Sequence, residues 1–189
     1  MKRIFPLIPA AAAVFLSACA DTQHRMIVSV AEQRMVVLRD EVPIAQFPVS
    51  TSKFGLGDSP KTYSTPLGHM KIAKKIGAGY PVGMKFKSRK PTGEIVPINA
   101  PGRDPIVTRI LWLSGLEPQN RNTRSRYIYI HGTPEERNIG RPASFGCVRM
   151  KSADVIWLYD TVGKGARVDI VPGPVASALP PAQGTAPGS

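Results

Sequence analysis

Cysteine is nearly missing from this chain. Of its 189 residues only Cys19 and Cys147 carry a thiol, too few for a disulfide framework. Acidic residues are scarce as well, 13 against 25 Lys and Arg, which gives a formal charge of +12. The three histidines and two cysteines follow no metal-ligand spacing, and grouping Cys147, His131 and His69 would need three ligands with no recognisable pattern. No metal and no cofactor is therefore expected. An RNA-binding aromatic signature is absent, as is paired-histidine zinc-finger spacing, so the basic balance does not point to nucleic acid. It points instead to a solvated charged face or to anionic partners such as lipid headgroups or an acidic wall polymer. No apolar run is long enough for a stable membrane span: the stretch from Ile4 to Leu16 is short and broken by Pro6 and Pro9.

That short stretch has another use. Lys2 and Arg3 precede it, and small residues close it in Leu16-Ser-Ala-Cys19, the order of an export signal. Its end resembles the lipobox of bacterial lipoproteins, which implies cleavage after residue 18 and a diacylglyceryl thioether on Cys19. The expected organisation is a lipoprotein signal over 1–18, the lipidated Cys19 and a polar tether over 19–25, one domain over 26–171, and a disordered Pro/Ala/Gly tail over 172–189. Removing Lys2 and Arg3 lowers the charge to +10. Ala20 after the lipidated cysteine favours the outer membrane in a diderm, with the domain facing the periplasm, because an aspartate there would argue for inner-membrane retention. An exported chain of this kind has left nucleic acid behind, and Cys147 is left as its one free thiol.

Strand signals dominate the domain. Ile27, Val28 and Val30, then Met35 to Leu38, then Ala45 to Val49 are short runs rich in apolar and β-branched residues, separated by polar breaks at 31–34 and 39–41. Further strands are expected over His69–Lys74, Ile106–Leu113, Tyr127–Ile130 and Ala166–Val171. Residues 75–105, rich in Gly, Pro and Lys, read as a long, ordered surface excursion and a candidate flap over the site. One helix is expected, with Val155, Ile156, Leu158, Tyr159 and Val162 at helical spacing, Ser152 as N-cap and Gly163 as stop. Trp112, Trp157 and Tyr159 read as core residues, and His24 and His69 receive no role. The fold class is mostly β, with one or two helices.

His131 and Cys147 stand sixteen residues apart, framed as Tyr127-Ile-Tyr-Ile-His-Gly-Thr133 and Ser144-Phe-Gly-Cys-Val-Arg-Met150. A thiol needs a base or a positive neighbour to become a nucleophile, and a strand-end histidine before a Gly-containing cysteine loop can supply one. Gly146 permits close backbone approach, so that peptide N–H groups can face a developing oxyanion.

These two segments, together with Val49-Ser50-Thr51, Thr65-Pro-Leu-Gly68 and Gly102-Arg-Asp-Pro-Ile-Val-Thr108, resemble the L,D-transpeptidase catalytic domain family (YkuD-like) over about residues 26–171. The resemblance implies a β-sandwich with the cysteine on a loop that precedes a helix. It implies action on peptidoglycan stem tetrapeptides through a Cys147 thioester, with release of D-alanine and a 3–3 crosslink, or transfer to another amine or to water. His131 would be the base and the Gly132 carbonyl its orienting partner. The Gly146 and Cys147 amides would form the oxyanion hole. Arg149 would support the pocket or the substrate carboxylate, and Ser144 would shape the loop. A site of this kind is expected to hold Cys147 as a low-pKa thiol.

Three alternatives remain at this level. An L,D-carboxypeptidase would use water as acceptor, and a wall-binding scaffold lipoprotein would keep the fold without catalysis. A papain-like protease fits poorly, because here the histidine precedes the cysteine. The scaffold reading arises from one departure. Phe145 stands where the family usually has a second histidine, and a phenyl ring neither donates nor accepts a proton. If that position mainly packs and stacks, Phe145→His retains or raises turnover; a folded Phe145→His variant without activity would show a pocket built around the aromatic ring.

Overall fold

A computed structural model describes residues 20–179. The signal assigned to 1–18, the lipidation assigned to Cys19 and the part of the tail beyond 179 lie outside the described residues. Ten strands form one hydrogen-bonded system: β1 (His24–Ser29), β2 (Arg34–Arg39), β3 (Val42–Pro48), β4 (Gly68–Ile76), β5 (Met84–Lys87), β6 (Lys90–Ile95), β7 (Val107–Gly115), β8 (Tyr129–Gly132), β9 (Val148–Met150) and β10 (Arg167–Val171). Their order is β3-β2-β1-β10-β4-β7-β5-β6, with β8 branching from β7 and β9 pairing β8. The single α-helix among the described residues, α1 (Ser152–Thr161), packs on β7 and β8. The mostly-β expectation holds.

The first three strands lie where polar breaks interrupt apolar runs. The β2–β3 turn places Asp40 and Glu41 both at positive φ (49° and 61°), the backbone that joins twisted antiparallel strands most tightly. One core collects side chains from nearly every element: Met26 and Val28, Met35 and Val37, Met70 and Ile72, Leu111 and Leu113, Val168 and Ile170, and Leu158 of α1, all essentially inaccessible. Burying this apolar surface is the main driving force for the fold.

Four expectations need correction. Residues 75–105 are more than the ordered surface excursion expected, because β5 and β6 form a hairpin there. Met84 and Phe86 bury with Ile110 and Tyr129 in a separate small cluster. The hairpin's second strand, Lys90-Pro-Thr-Gly-Glu-Ile95, contains a proline and a glycine and so hides its strand character.

The described part of the tail, residues 172–179, is ordered. Val175 is 1% exposed and packs with Ile27, Val36 and Leu38 on the outer face of β1–β2. Its N–H donates to the Glu32 carboxylate at 2.9 Å. One valine and one leucine in a Pro/Ala/Gly segment thus find an apolar face.

Residues 20–23 are not a free tether. The Asp21 N–H donates to the Lys164 carbonyl at 2.7 Å, and the Asp21 carboxylate accepts from the Gly163 N–H at 2.5 Å. Finally, Ser152 begins α1 rather than capping it. Lys151 occupies the N-cap position, and the Ser152 N–H is satisfied by Glu136 Oε1 at 2.8 Å.

Candidate active site

Parallel pairing of β8 and β9 matches Ile130 with Val148, His131 with Arg149 and Gly132 with Met150. Strand side chains alternate, so Ile130, Val148 and Met150 enter the core while His131 and Arg149 project from the opposite face. Cys147, immediately before β9, continues that second set and packs against the small cluster that contains Tyr129. The apolar register of two short strands therefore delivers the histidine and the cysteine to one surface. A short strand, β9, lies between the cysteine loop and α1.

β7 meets β8 with an irregularity between Val107 and Ile110, opposite Gly132 and His131. Thr108 in this bulge has φ +71°, an unusual backbone for a β-branched residue. Its Oγ1 accepts from the Gly83 N–H at 3.0 Å and lies 2.9 Å from Ser152 Oγ, which ties the bulge to the β5 approach and to α1. A Cβ on Gly132 would come within 2.7 Å of the Val107 carbonyl oxygen, so glycine alone fits beside the histidine. Bulges of this kind commonly re-aim side chains next to active sites. Thr108 was visible in the sequence only as the end of the Gly102–Thr108 segment, with no role attached.

His131 is 4% exposed, and its Nδ1 lies 2.8 Å from the Gly132 carbonyl oxygen. A carbonyl can only accept, so Nδ1 carries the proton and Nε2 is left as the basic nitrogen. Burial lowers the His131 pKa from 6.5 to about 4; the Gly132 carbonyl opposes the shift and the nearby Arg149 cation adds to it.

The loop before β9 is wound tightly. Ser144 Oγ donates to the Cys147 carbonyl at 2.6 Å and accepts from the Gly146 N–H at 3.2 Å. Gly146 has φ +115°, and its carbonyl accepts from Thr65 Oγ1 at 2.9 Å. The Gly146 amide is thus committed to Ser144 and is not presented to a ligand in this state. Cys147 Sγ lies 3.4 Å from the Tyr129 N–H and 3.6 Å from the Tyr127 carbonyl oxygen, and among the described residues His131 is not one of its hydrogen-bond partners. Burial raises the thiol from 9.0 to about 11, against the opposing effects of the Tyr129 N–H, Arg149 and Arg126. The expected low-pKa thiol is therefore not found: desolvation exceeds the help of two guanidinium groups.

Arg149 is also internal. Only 5% exposed, it pairs with Asp104 at 2.5 Å, and Asp104 also accepts from Thr133 Oγ1 at 2.7 Å. Desolvation raises the Asp104 pKa despite Thr133 and Arg149. Of the two roles expected for Arg149, support of the pocket fits this pairing. Asp104 was visible only as part of the Gly102–Thr108 segment, with no role attached.

Phe145 points outward, about half exposed. Its ring centroid lies 5.3 Å from that of Phe54 and 5.6 Å from that of Tyr63, the latter edge-on. Lys53 Nζ sits 4.8 Å from the same centroid. Phe145 and Lys53 wall a cleft of about 510 Å³ that Arg149, Asp104, Glu135 and Arg141 also line. Arg126 fixes the segment carrying Tyr63, donating to the Gly57, Thr62 and Ser64 carbonyls and to buried Asp58. Among the described residues no cluster of three or more His, Cys, Asp or Glu could hold a metal ion.

A family model described as the L,D-transpeptidase catalytic domain (YkuD) matches residues 23–170. A Bacillus subtilis protein named as an L,D-transpeptidase, YkuD, is 31% identical over 102 residues, covering 53% of this chain and 57% of its own length. An Escherichia coli protein named as an L,D-transpeptidase, YbiS, is 26% identical over 166 residues, 85% of this chain and 49% of its own. The chain thus spans about half the length of these curated relatives. Among solved structures, an L,D-transpeptidase from Mycobacterium smegmatis superposes with TM-score 0.52 at 16% identity, over 79% of this chain and 58% of that one. An Enterococcus faecium L,D-transpeptidase gives 0.51 at 15% identity, over 80% and 50%. At these identities the likeness is one of fold.

The two pKa shifts have defined consequences. His131, depressed, adds stability that is present above pH 6.5 and lost as pH falls through about 4. Cys147, raised, adds stability that is present below pH 9.0 and lost as pH rises through about 11. Between those limits the resting pair is a neutral thiol and a neutral imidazole. Iodoacetamide alkylation of Cys147 is then slow at neutrality, climbs about tenfold per pH unit and levels off only near pH 11. A rate that plateaus at or below neutral pH would reveal a preformed thiolate instead.

Proposed function

This chain belongs to the L,D-transpeptidase catalytic domain family, and from that premise we propose that it is a cysteine acyltransferase acting on peptidoglycan stem tetrapeptides, with Cys147 as nucleophile and His131 as base. The observation that carries the proposal is the His131 tautomer. Nδ1–H is held by the Gly132 carbonyl, which leaves Nε2 free of a proton on the face it shares with Cys147.

The reaction starts from neutral partners. Sγ leaves Tyr127 and Tyr129 by rotation about Cα–Cβ and attacks the carbonyl of the third stem residue, while its proton passes to His131 Nε2. The oxyanion is received by the Cys147 N–H, and by the Gly146 N–H only once Ser144 releases it. Imidazolium then protonates the nitrogen of the departing D-alanine as the C–N bond breaks, giving a thioester on Cys147. An amine acceptor loses its proton to the same imidazole as it attacks, and expels the thiolate, which takes that proton back. The buried Arg149–Asp104 pair holds the wall of the cleft rather than the reacting atoms.

The chain's place in the cell belongs to the same proposal. The export signal and Cys19 put the domain on a lipid anchor at the periplasmic face of the envelope, favouring the outer membrane in a diderm. Family membership supports an extracytoplasmic substrate.

Incubating the chain with disaccharide-tetrapeptide and reading products by mass spectrometry tests the chemistry. Dimers lacking one D-alanine are expected, absent with Cys147→Ala and reduced ~10²–10⁴-fold with His131→Ala. Tripeptide alone would make water the acceptor and the protein a carboxypeptidase. No product from folded protein would favour the non-catalytic scaffold that Phe145 suggests.

A further inference from the structure

The N-terminal entry of the described chain lies in a basic groove that the chemistry of the active site does not use. Ala20 lines this groove of about 300 Å³ together with Lys71, Arg124, Lys164 and Gly165. The three cations are exposed, and none has a carboxylate within ion-pair distance among the described residues. No acid lines the groove. The nearest carboxylate in sequence, Asp21, is turned inward and consumed by the Gly163 N–H and His24.

Chain placement there is rigid. A Cβ on Gly165 would come within 2.8 Å of the Ala20 Cβ, so the first described residue is packed against the 163–165 turn. The Asp21 N–H is bonded to the Lys164 carbonyl.

We propose that this groove binds anionic phospholipid headgroups and seats the domain on the membrane surface. This rests on the reading of Cys19 as the lipidated residue. Cys19 is covalently next to Ala20, and adjacent Cα atoms are about 3.8 Å apart. An acyl chain on Cys19 therefore leaves the protein at the groove, with no spacer between anchor and domain. Headgroup phosphates meet three unpaired cations at that point, and basic residues near an anionic surface each add favourable interaction. A wall polymer could also supply anions, but only the bilayer is fixed at this face by the covalent path. Arg124 connects the groove to the reaction centre: its carbonyl accepts from the Tyr127 N–H, and the Tyr127 carbonyl contacts Cys147 Sγ. Docking here holds the catalytic turn close to the membrane.

The unlipidated chain of residues 20–189, which contains every described residue, separates the groove from the anchor. Its cosedimentation is measured on phosphatidylcholine vesicles with and without phosphatidylglycerol. Binding only to the anionic vesicles is expected, weakening with added salt. The triple variant Lys71→Glu, Arg124→Glu, Lys164→Glu should bind at least ~10-fold less. The charge-matched triple Lys61→Glu, Lys87→Glu, Lys90→Glu should bind as the parent does, and Lys71→Arg with Lys164→Arg should retain binding. Equal losses in both Glu triples would reduce the effect to net charge and overturn the proposal. So would equal binding to uncharged vesicles, no vesicle binding, or binding to purified sacculi alone. Mass spectrometry of the envelope-derived protein decides the Cys19 acyl group separately. A groove that binds with Cys19 unmodified would leave the headgroup site standing and remove the anchor.

Discussion

The parallel pairing of β8 with β9 is the constraint on which the site depends. Three core residues, Ile130, Val148 and Met150, bury on one face of this pair, and their burial fixes the register. A slip by one residue would carry His131 and Arg149 into the core and bring apolar side chains to the cleft. The hydrophobic core thus sets the geometry of the polar surface. The bulge in β7 completes it, because the Val107 carbonyl closes over Gly132 and leaves no room for a side chain beside the histidine. Thr108, in a backbone conformation that β-branched residues avoid, is held there by Gly83 and Ser152. Strain of this order is tolerated where the surroundings determine the backbone.

Desolvation decides the electrostatic state that results. Arg149 and Arg126 both favour a thiolate at Cys147, yet burial outweighs them, and the same burial keeps His131 neutral. Arg149 is further neutralised by its own carboxylate, Asp104. An isolated buried thiolate would cost several kcal/mol, so the fold stores the pair uncharged. In the proposed mechanism charge develops only when substrate enters and the proton moves from sulfur to Nε2. A neutral thiol is also protected from oxidation, which proceeds through the thiolate.

The architecture was largely legible in the sequence because its strands alternate and its breaks are polar. β1, β2, β7 and α1 fall close to where the pattern puts them. The β5–β6 hairpin escaped because Pro91 and Gly93 interrupt its second strand, and the docked segment around Val175 escaped because one valine in a Pro/Ala/Gly run gives no period. At the site, His131 and Cys147 were named from their spacing and flanking glycines, and the β8–β9 register brings them to one face. The partners that tune the pair could not be read this way. Asp104 against Arg149, Thr65 against the Gly146 carbonyl and Thr108 against Ser152 are contacts between residues distant in the chain. Phe145 shows the same limit. Its identity suggested a lost proton carrier, whereas in the fold it packs with Phe54, Tyr63 and Lys53 and walls the cleft beside Arg149.

The central claim is that a neutral Cys147 forms a covalent thioester with the help of His131. Acid quenching within the first turnover, followed by proteolysis and mass spectrometry, tests it most directly. The account predicts a stem-tripeptidyl group on the peptide containing Cys147, accumulating far more slowly when His131 is alanine. Turnover with no acyl group on that peptide, or with the group on another residue, would contradict it.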